Sequence, residues 1–249
     1  MNDLHDQVAI VTGASRGLGR GIALVLAEKG AQVVVNYVSA EAQAQEVVAQ
    51  MAQIGVRGVA VQADVGTPEG VDKLFQATLA EFGRLDILVN NAGTSQPKDV
   101  FQITPEDWER LLRTNLTSTF LCCQAAMRIM APQKQGRIVN VSSVVAHQGA
   151  LFGHLHYAAS KSGQLGLTKT LARTAAPLGI TVNAIAPGCI ETELLHQTLQ
   201  EKVDDLRRSI PLGLGTVRDV GLAVAFLCGE GGRYITGATL DVNGGLYLR

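Results

Sequence analysis

Short apolar runs, most of them bounded by Gly, Asn or Pro, alternate along this chain with longer stretches in which apolar and polar positions mix. The runs at 8–11, 33–35, 59–61, 87–89, 138–141 and 181–185 are rich in Val and Ile and lack polar alternation. Runs of that kind mark strands buried on both faces, as in a parallel sheet. A further run at 240–242 adds a last strand. Between the runs, the stretches at about 17–29, 40–54, 68–82, 105–131 and 156–177 read as helices. In the first, Leu24, Val25, Ala27 and Glu28 set an apolar face beside a polar one.

Strand–helix alternation predicts the α/β class: a doubly wound parallel sheet with helices on both faces, built by right-handed crossovers. No Ser/Pro-rich linker, repeat or low-complexity tract interrupts the pattern, so residues 1–249 are expected to form a single Rossmann-fold domain. The rhythm breaks at 190–215, a polar stretch of helical composition that follows the C-terminal end of a strand. Ligands bind at that edge of open α/β sheets. The stretch is therefore expected to form a substrate lid.

Charge narrows the picture further. The formal net charge is −1, with no basic surplus for nucleic acid and no charge block for a membrane surface. The first residues are polar, without the apolar run of a signal peptide, and no stretch suits a bilayer span. A cytoplasmic protein is expected. Cys122, Cys123, Cys189 and Cys228 form no C-x-x-C pair and have no zinc-like spacing to His, so reduced thiols and no metal are expected.

The first strand runs into Thr12-Gly13-Ala14-Ser15-Arg16-Gly17-Leu18-Gly19, after which a helix begins. Glycines there permit a tight turn and let backbone N–H groups approach a pyrophosphate at the helix N-terminus. The spacing is G-x-x-x-G-x-G. An acidic residue ending the second strand would bind a ribose 2′-hydroxyl of NAD. This strand ends Val35-Asn36-Tyr37 instead, and Arg16 stands in the glycine turn. A neutral Asn36 beside a guanidinium suited to bidentate phosphate binding favours NADP(H), with NAD(H) as an open alternative.

Together with Asp64-Val65, Asn90-Asn91-Ala92-Gly93, Asn115, Ser143, Tyr157-x-x-x-Lys161 and Pro187-Gly188, the turn resembles the short-chain dehydrogenase/reductase family over essentially the whole chain. The resemblance implies that Gly13, Ser15, Arg16, Gly17, Leu18 and Gly19 cradle the cofactor. It implies that Asp64 bonds the adenine amino group beside the Val65 backbone, and that Asn91 lines a ribose, with Asn90 supporting the fourth strand. Ile190 and Thr192 would reach the nicotinamide carboxamide.

Carbonyl reduction needs a proton donor at the oxygen. Tyr157 is that candidate. Lys161 lies four residues on, on the same helical face, where its ammonium is expected to lower the tyrosine pKa. Ser143 would hydrogen-bond the substrate oxygen. The resemblance adds that Lys161 holds the nicotinamide ribose and that Asn115 holds a water linking Lys161 to solvent. His147, His154 and His156 cluster before Tyr157, with pocket-lining and plain loop roles both open. Trp108 is expected to pack at a helix start.

Two subfamilies compete for the substrate. Pro187-Gly188-Cys189-Ile190-Glu191-Thr192 is similar to the 3-oxoacyl-acyl-carrier-protein reductases, and Lys134 matches one of their carrier-docking positions; Leu178 departs from the other. Val34-Val35-Asn36-Tyr37, His156-Tyr157-Ala158-Ala159-Ser160-Lys161 and a longer stretch between Ser143 and Tyr157 are similar to bacterial glucose 1-dehydrogenases. The expected protein is an NADP(H)-preferring ketoreductase or alcohol dehydrogenase for a small carbonyl compound, homotetrameric as the family usually is, with acyl carrier protein a less favoured partner. A non-catalytic dinucleotide sensor on the same fold could dispense with Ser143, Tyr157 and Lys161.

Overall fold

The Val- and Ile-rich runs become the strands of one parallel sheet. The computed structural model describes residues 4–150, 154–192, 195 and 203–248. The sheet comprises β1 (Val8–Val11), β2 (Gln32–Tyr37), β3 (Gly58–Gln62), β4 (Ile87–Asn90), β5 (Gly136–Val141), β6 (Ile180–Pro187) and, at its far edge, β9 (Thr239–Val242). Their order is β3-β2-β1-β4-β5-β6-β9, every pair parallel. The order reverses between β1 and β4, and the crevice beyond their C-terminal ends is where such sheets bind ligands.

The strands lack polar alternation because both faces are covered. Ala9, Val11, Val33 and Val35 point to one face, against Ile22 and Leu26 of α1 (Gly17–Glu28) and Val47 and Met51 of α2 (Glu41–Gln53). Ile10, Val34, Leu88 and Ile138 point to the other. There they meet Leu74 and Phe75 of α3 (Pro68–Phe82), Met130 of α5 (Ser118–Gln133) and Ala172 of α7 (Leu155–Ala175). Local chemistry sets the helix limits. The Thr67 hydroxyl accepts from the Gly70 N–H, Pro68 takes the first turn of α3, and Gly83 ends it in the left-handed region at φ 73°.

Three elements differ from the sequence reading. The helix expected at 105–131 is α4 (Pro105–Leu112), a π-helical turn at Arg113–Thr117 and then α5, which runs on to Gln133. Its apolar periodicity survives one widened turn, so the pattern does not reveal the interruption. Val217–Cys228 forms α9, which the pattern does not single out. It buries Val220, Val224 and Leu227 yet also carries half-exposed Leu222 and Phe226, so apolar residues surround it and mask the 3.6-residue period. The expected lid begins and ends on a two-strand parallel ladder, β7 (Ile190–Glu191) with β8 (Gly215–Thr216), and contains α8 (Val203–Ser209). The remainder of that expectation, at 193–194 and 196–202, lies outside the described residues. Among the described residues no helix is long and apolar enough to cross a membrane.

Candidate active site

The C-terminal ends of β1 and β4 are tied together by Thr12. Its buried hydroxyl accepts from the Asn91 and Ala92 N–H groups at 3.0 and 2.9 Å. The Asn91 side-chain amide returns the link, donating to the Thr12 and Gly13 carbonyls at 2.9 and 3.1 Å. Between these points the chain turns through Gly13 (φ 62°) and Gly17 (φ 55°), conformations that L side chains resist. A Cβ at Gly19 would stand 2.3 Å from the Gly13 carbonyl oxygen and 2.4 Å from the Asn91 amide nitrogen, so only glycine fits. Arg16 precedes α1 and offers no side-chain cap, and the first turn carries no acidic residue. The first N–H groups of α1 thus remain available to an anion. The Arg16 side chain is exposed and makes no hydrogen bond or ion pair with a described residue, while its carbonyl accepts from the Arg20 N–H at 3.2 Å.

Asn36 is placed differently from expectation. It is 1% exposed, and its side chain points into the protein. Oδ1 accepts from the Gly13 N–H at 3.2 Å, while Nδ2 donates to the Val61 and Ala63 carbonyls at 3.3 and 2.9 Å. The register that pairs Asn36 with Val61 turns it inward. Its amide holds the glycine turn to the end of β3 and does not line the cofactor crevice. Asp64 is exposed after β3, where its carboxylate accepts from the Gly66 N–H at 2.9 Å, and Val65 is buried beside it. Asn90 donates to the Asn140 side chain at 2.8 Å, supporting β4 against β5 as the sequence suggests.

Ser143, Tyr157, Lys161 and Asn115 come together at the same edge. The Ser143 side chain lies beside the Tyr157 hydroxyl, near enough to act on its pKa. One helical turn below, the Lys161 ammonium donates to the Val141 carbonyl at 2.7 Å and lies 5.7 Å from the Tyr157 ring centre. Ser142 faces away and donates to the Lys161 carbonyl at 2.9 Å. Asn115 sits in the π-helical turn, fully buried. Its Oδ1 accepts from the Thr94 N–H at 2.8 Å, and its Nδ2 donates to the Thr94 carbonyl and Ser160 hydroxyl at 2.9 and 3.1 Å. A Cβ on Gly93 would stand 3.3 Å from Asn115 Oδ1 and 3.6 Å from Lys161 Nζ, so this glycine brings the chain close to both.

Burial dominates the electrostatics. It pushes the Tyr157 hydroxyl above its ordinary pKa, and the neighbouring Ser143 side chain opposes it. This corrects the expectation that Lys161 lowers the tyrosine pKa in the protein alone: the ammonium is turned to Val141, and burial pulls its own pKa down to about 8. At neutral pH Tyr157 therefore holds its proton.

The remaining candidates separate. His154 Nδ1 lies 3.1 Å from the Ser95 hydroxyl, and its ring is edge-on to Tyr157. His156 is fully buried, with Nε2 3.4 Å from Gln96 Oε1. His147 pairs with Asp241 at 3.4 Å and stacks on Tyr247. Trp108 stands in the first turns of α4 and is 36% exposed, less packed than expected. Ile190 packs toward Gly215, and the Thr192 hydroxyl accepts from the Leu195 N–H at 3.3 Å. Cys122 and Cys123 are buried thiols with raised pKa values, Cys123 up to about 12. Among the described residues no group of three or more His, Cys, Asp or Glu could hold a metal ion. The sequence reading gives Thr12 and Gly93 no role of their own and passes over Ser95. Thr12 carries a faint signal, a hydroxyl residue closing an apolar strand just before the glycine turn.

An anion-ready glycine turn at the switch point, facing a Ser/Tyr/Lys cluster, defines a nicotinamide-dependent oxidoreductase. The comparisons agree with that class. The family model described as enoyl-(acyl carrier protein) reductase matches residues 13–247. A 3-oxoacyl-[acyl-carrier-protein] reductase of Synechocystis sp. is 42% identical, with all of both chains covered. The crystal structure of a short chain dehydrogenase from Burkholderia cenocepacia in complex with NADP superposes with a TM-score of 0.91 at 36% identity, over 98% of this chain and 99% of that one. A dehydrogenase/reductase from Sinorhizobium meliloti superposes at 0.93 and 36% identity, over 99% and 97%. The chain belongs to the short-chain dehydrogenase/reductase family.

Proposed function

We propose that the chain is an NADP(H)-preferring reductase of small carbonyl compounds, reversible as an alcohol dehydrogenase. The observation that carries this reading is the meeting of the protonated Tyr157 with Ser143 at one sheet edge, one turn from a buried Lys161 whose ammonium lies 5.7 Å from the Tyr157 ring centre. Two neighbouring hydroxyls can converge on one carbonyl oxygen. Ser143 holds that oxygen, and Tyr157 gives it a proton as negative charge develops there. When bound, a reduced nicotinamide would supply the hydride and would carry a positive ring once it has given it. Lys161 would then favour the tyrosinate left behind and hold the ribose hydroxyls. Asn115 Oδ1 spends one lone pair on Thr94, which leaves the other for a water on the path from Lys161 to solvent.

The cradle fits a dinucleotide. Gly19 leaves no room for a side chain, Gly13 and Gly17 hold a positive φ that side chains resist, and the first amides of α1 are uncapped. Gly13, Ser15, Gly17, Leu18 and Gly19 would hold the pyrophosphate, and Arg16 a 2′-phosphate. Asp64 would take the adenine amino group beside the Val65 backbone. Asn91, its amide hydrogens given to the turn, would offer Oδ1 to a ribose. Ile190 and Thr192 would meet the carboxamide. Asn36 serves this cradle from behind. NADP in the B. cenocepacia relative supports the phosphate preference. Reduction of 3-oxoacyl groups on a carrier protein is a narrower reading of the same chemistry, favoured by the name of the Synechocystis relative.

Measuring kcat/KM with NADPH and NADH tests the cofactor half. NADPH is expected to lead by about tenfold or more, the worth of a charge-assisted hydrogen bond. Arg16→Ala should remove most of that lead by weakening NADPH alone. A wild-type preference for NADH would contradict the assignment.

A further inference from the structure

α7 carries a polar stripe, Tyr157, Ser160, Lys161, Gln164 and Thr168, at the spacing of one helical face. Gln164 lies three residues beyond Lys161 and is fully buried. Its Nε2 donates to the Asn115 carbonyl at 2.9 Å and to the Thr119 hydroxyl oxygen at 2.8 Å. The Thr119 hydroxyl donates to the same Asn115 carbonyl at 2.9 Å. That carbonyl belongs to the π-helical turn at Arg113–Thr117. α7 approaches the turn closely here, for a Cβ on Gly163 would stand 2.7 Å from Leu116 Cδ2. Gln164 Oε1 is buried as well and makes no hydrogen bond with a described residue.

We infer that Gln164 is a positioning residue for proton delivery: it clamps the π-helical turn so that the Asn115 side chain stays turned toward Lys161. This role rests on the ketone reduction proposed above, with Asn115 on the proton path. Asn115 is tied to α7 at two points on either side of Lys161. Its side-chain amide meets the Ser160 hydroxyl at 3.1 Å, and its carbonyl meets Gln164. A π-helical turn holds one residue more than an α turn. Closing it to α geometry would rotate one flank by about 100° around the helix axis. An Asn115 carried round with that flank would lose Thr94 and Ser160 and leave the side of Lys161. Stability alone does not account for the glutamine. An apolar residue of the same length would leave the Asn115 carbonyl its bond from Thr119, would strand no buried donor, and would remove the unpartnered Oε1. A buried amide kept half-satisfied in this way points to function.

The test is Gln164→Met, which keeps the length and removes the amide, assayed with NADPH and either ethyl 3-oxobutanoate or 2-heptanone. kcat is expected to fall about tenfold, the worth of one hydrogen bond. KM for the ketone and Kd for NADPH should stay within about threefold, and the urea unfolding midpoint should hold or rise. The solvent deuterium isotope effect on kcat should grow, as proton delivery becomes limiting. Asn115→Ala should lower kcat as well. The double variant should be no slower than Asn115→Ala alone, because Gln164 acts through Asn115. Normal kcat in folded Gln164→Met, a loss that adds in full to that of Asn115→Ala, or a loss matched by falling stability would overturn the inference. So would failure of both Gln164→Met and Gln164→Leu to fold. Normal kcat in Asn115→Ala would overturn the relay reading, and the inference with it. Reduction of neither ketone by the wild type would overturn ketone reduction itself, and with it both.

Discussion

Asn36 makes three well-formed hydrogen bonds from a buried amide, and that placement changes what its replacement does. In an exposed crevice, Asn36→Asp would be the obvious route to NAD(H). Here a carboxylate would face the Val61 and Ala63 carbonyls, with its charge out of water. The variant is expected to lose about 3 kcal/mol of stability and to bind NADPH and NADH less well by similar factors. Urea unfolding and the two dissociation constants check this; a swing to NADH at unchanged stability would contradict it. Lys161 gives a second residue-scale expectation. Its folded pKa is about 8, against an ordinary 10.5. Between those values the unfolded chain holds the proton and the folded one releases it, so stability rises with pH across that window. Below it both forms are protonated and the burial penalty stays constant. Lys161→Met should flatten the rise, as unfolding free energies at about pH 7, 8.5 and 10 would show. That Tyr157 and Lys161 share one face was legible in the sequence, because their spacing on one helix fixes it covalently. The direction of Asn36 was not, because it depends on the pairing of β2 with β3, whose register the Asn36 neighbourhood does not encode.

At the scale of elements, α1 and α9 cross through glycines. A Cβ at Gly21 would stand 2.6 Å from Val217 Cβ, and one at Gly221 would stand 2.7 Å from Val25 Cγ2 and 2.9 Å from its Cβ. Val25 is buried and β-branched, with a single favoured rotamer in a helix, so it cannot swing aside. Gly221→Ala gains about 1 kcal/mol of helix propensity and loses roughly 2–3 kcal/mol to overpacking. Net destabilisation of about 1–2 kcal/mol is expected, with weaker NADPH binding because the N-terminus of α1 is the cofactor turn. Thermal unfolding and a binding titration read the two effects; a more stable variant would contradict the close crossing. The first six strand runs and most helices were legible because strands covered on both faces read as uninterrupted apolar runs. α9 was not, since it is apolar nearly all round, and neither was the π-helical turn at Asn115, whose extra residue leaves the flanking periodicity intact.

For the whole molecule, a parallel sheet sends every strand's C-terminal end to one edge, and the chemistry collects there. The glycine turn follows β1, Asp64 follows β3, Asn91 and Gly93 follow β4, Ser143 follows β5, and Ile190 and Thr192 follow β6. A groove at the opposite edge, lined by His5, Asp6, Glu28 and Arg57 among others, is remote from all of them. The central claim is that this edge delivers a proton from Tyr157 to a carbonyl oxygen. Tyr157→Phe removes one hydroxyl and leaves the ring that packs beside His154. Steady-state reduction of a ketone by the folded variant, with NADPH binding measured in parallel, is the most direct test. Turnover is expected to fall by about a hundredfold or more while NADPH affinity stays within about threefold. Near-normal kcat in folded, NADPH-binding Tyr157→Phe protein would contradict the account.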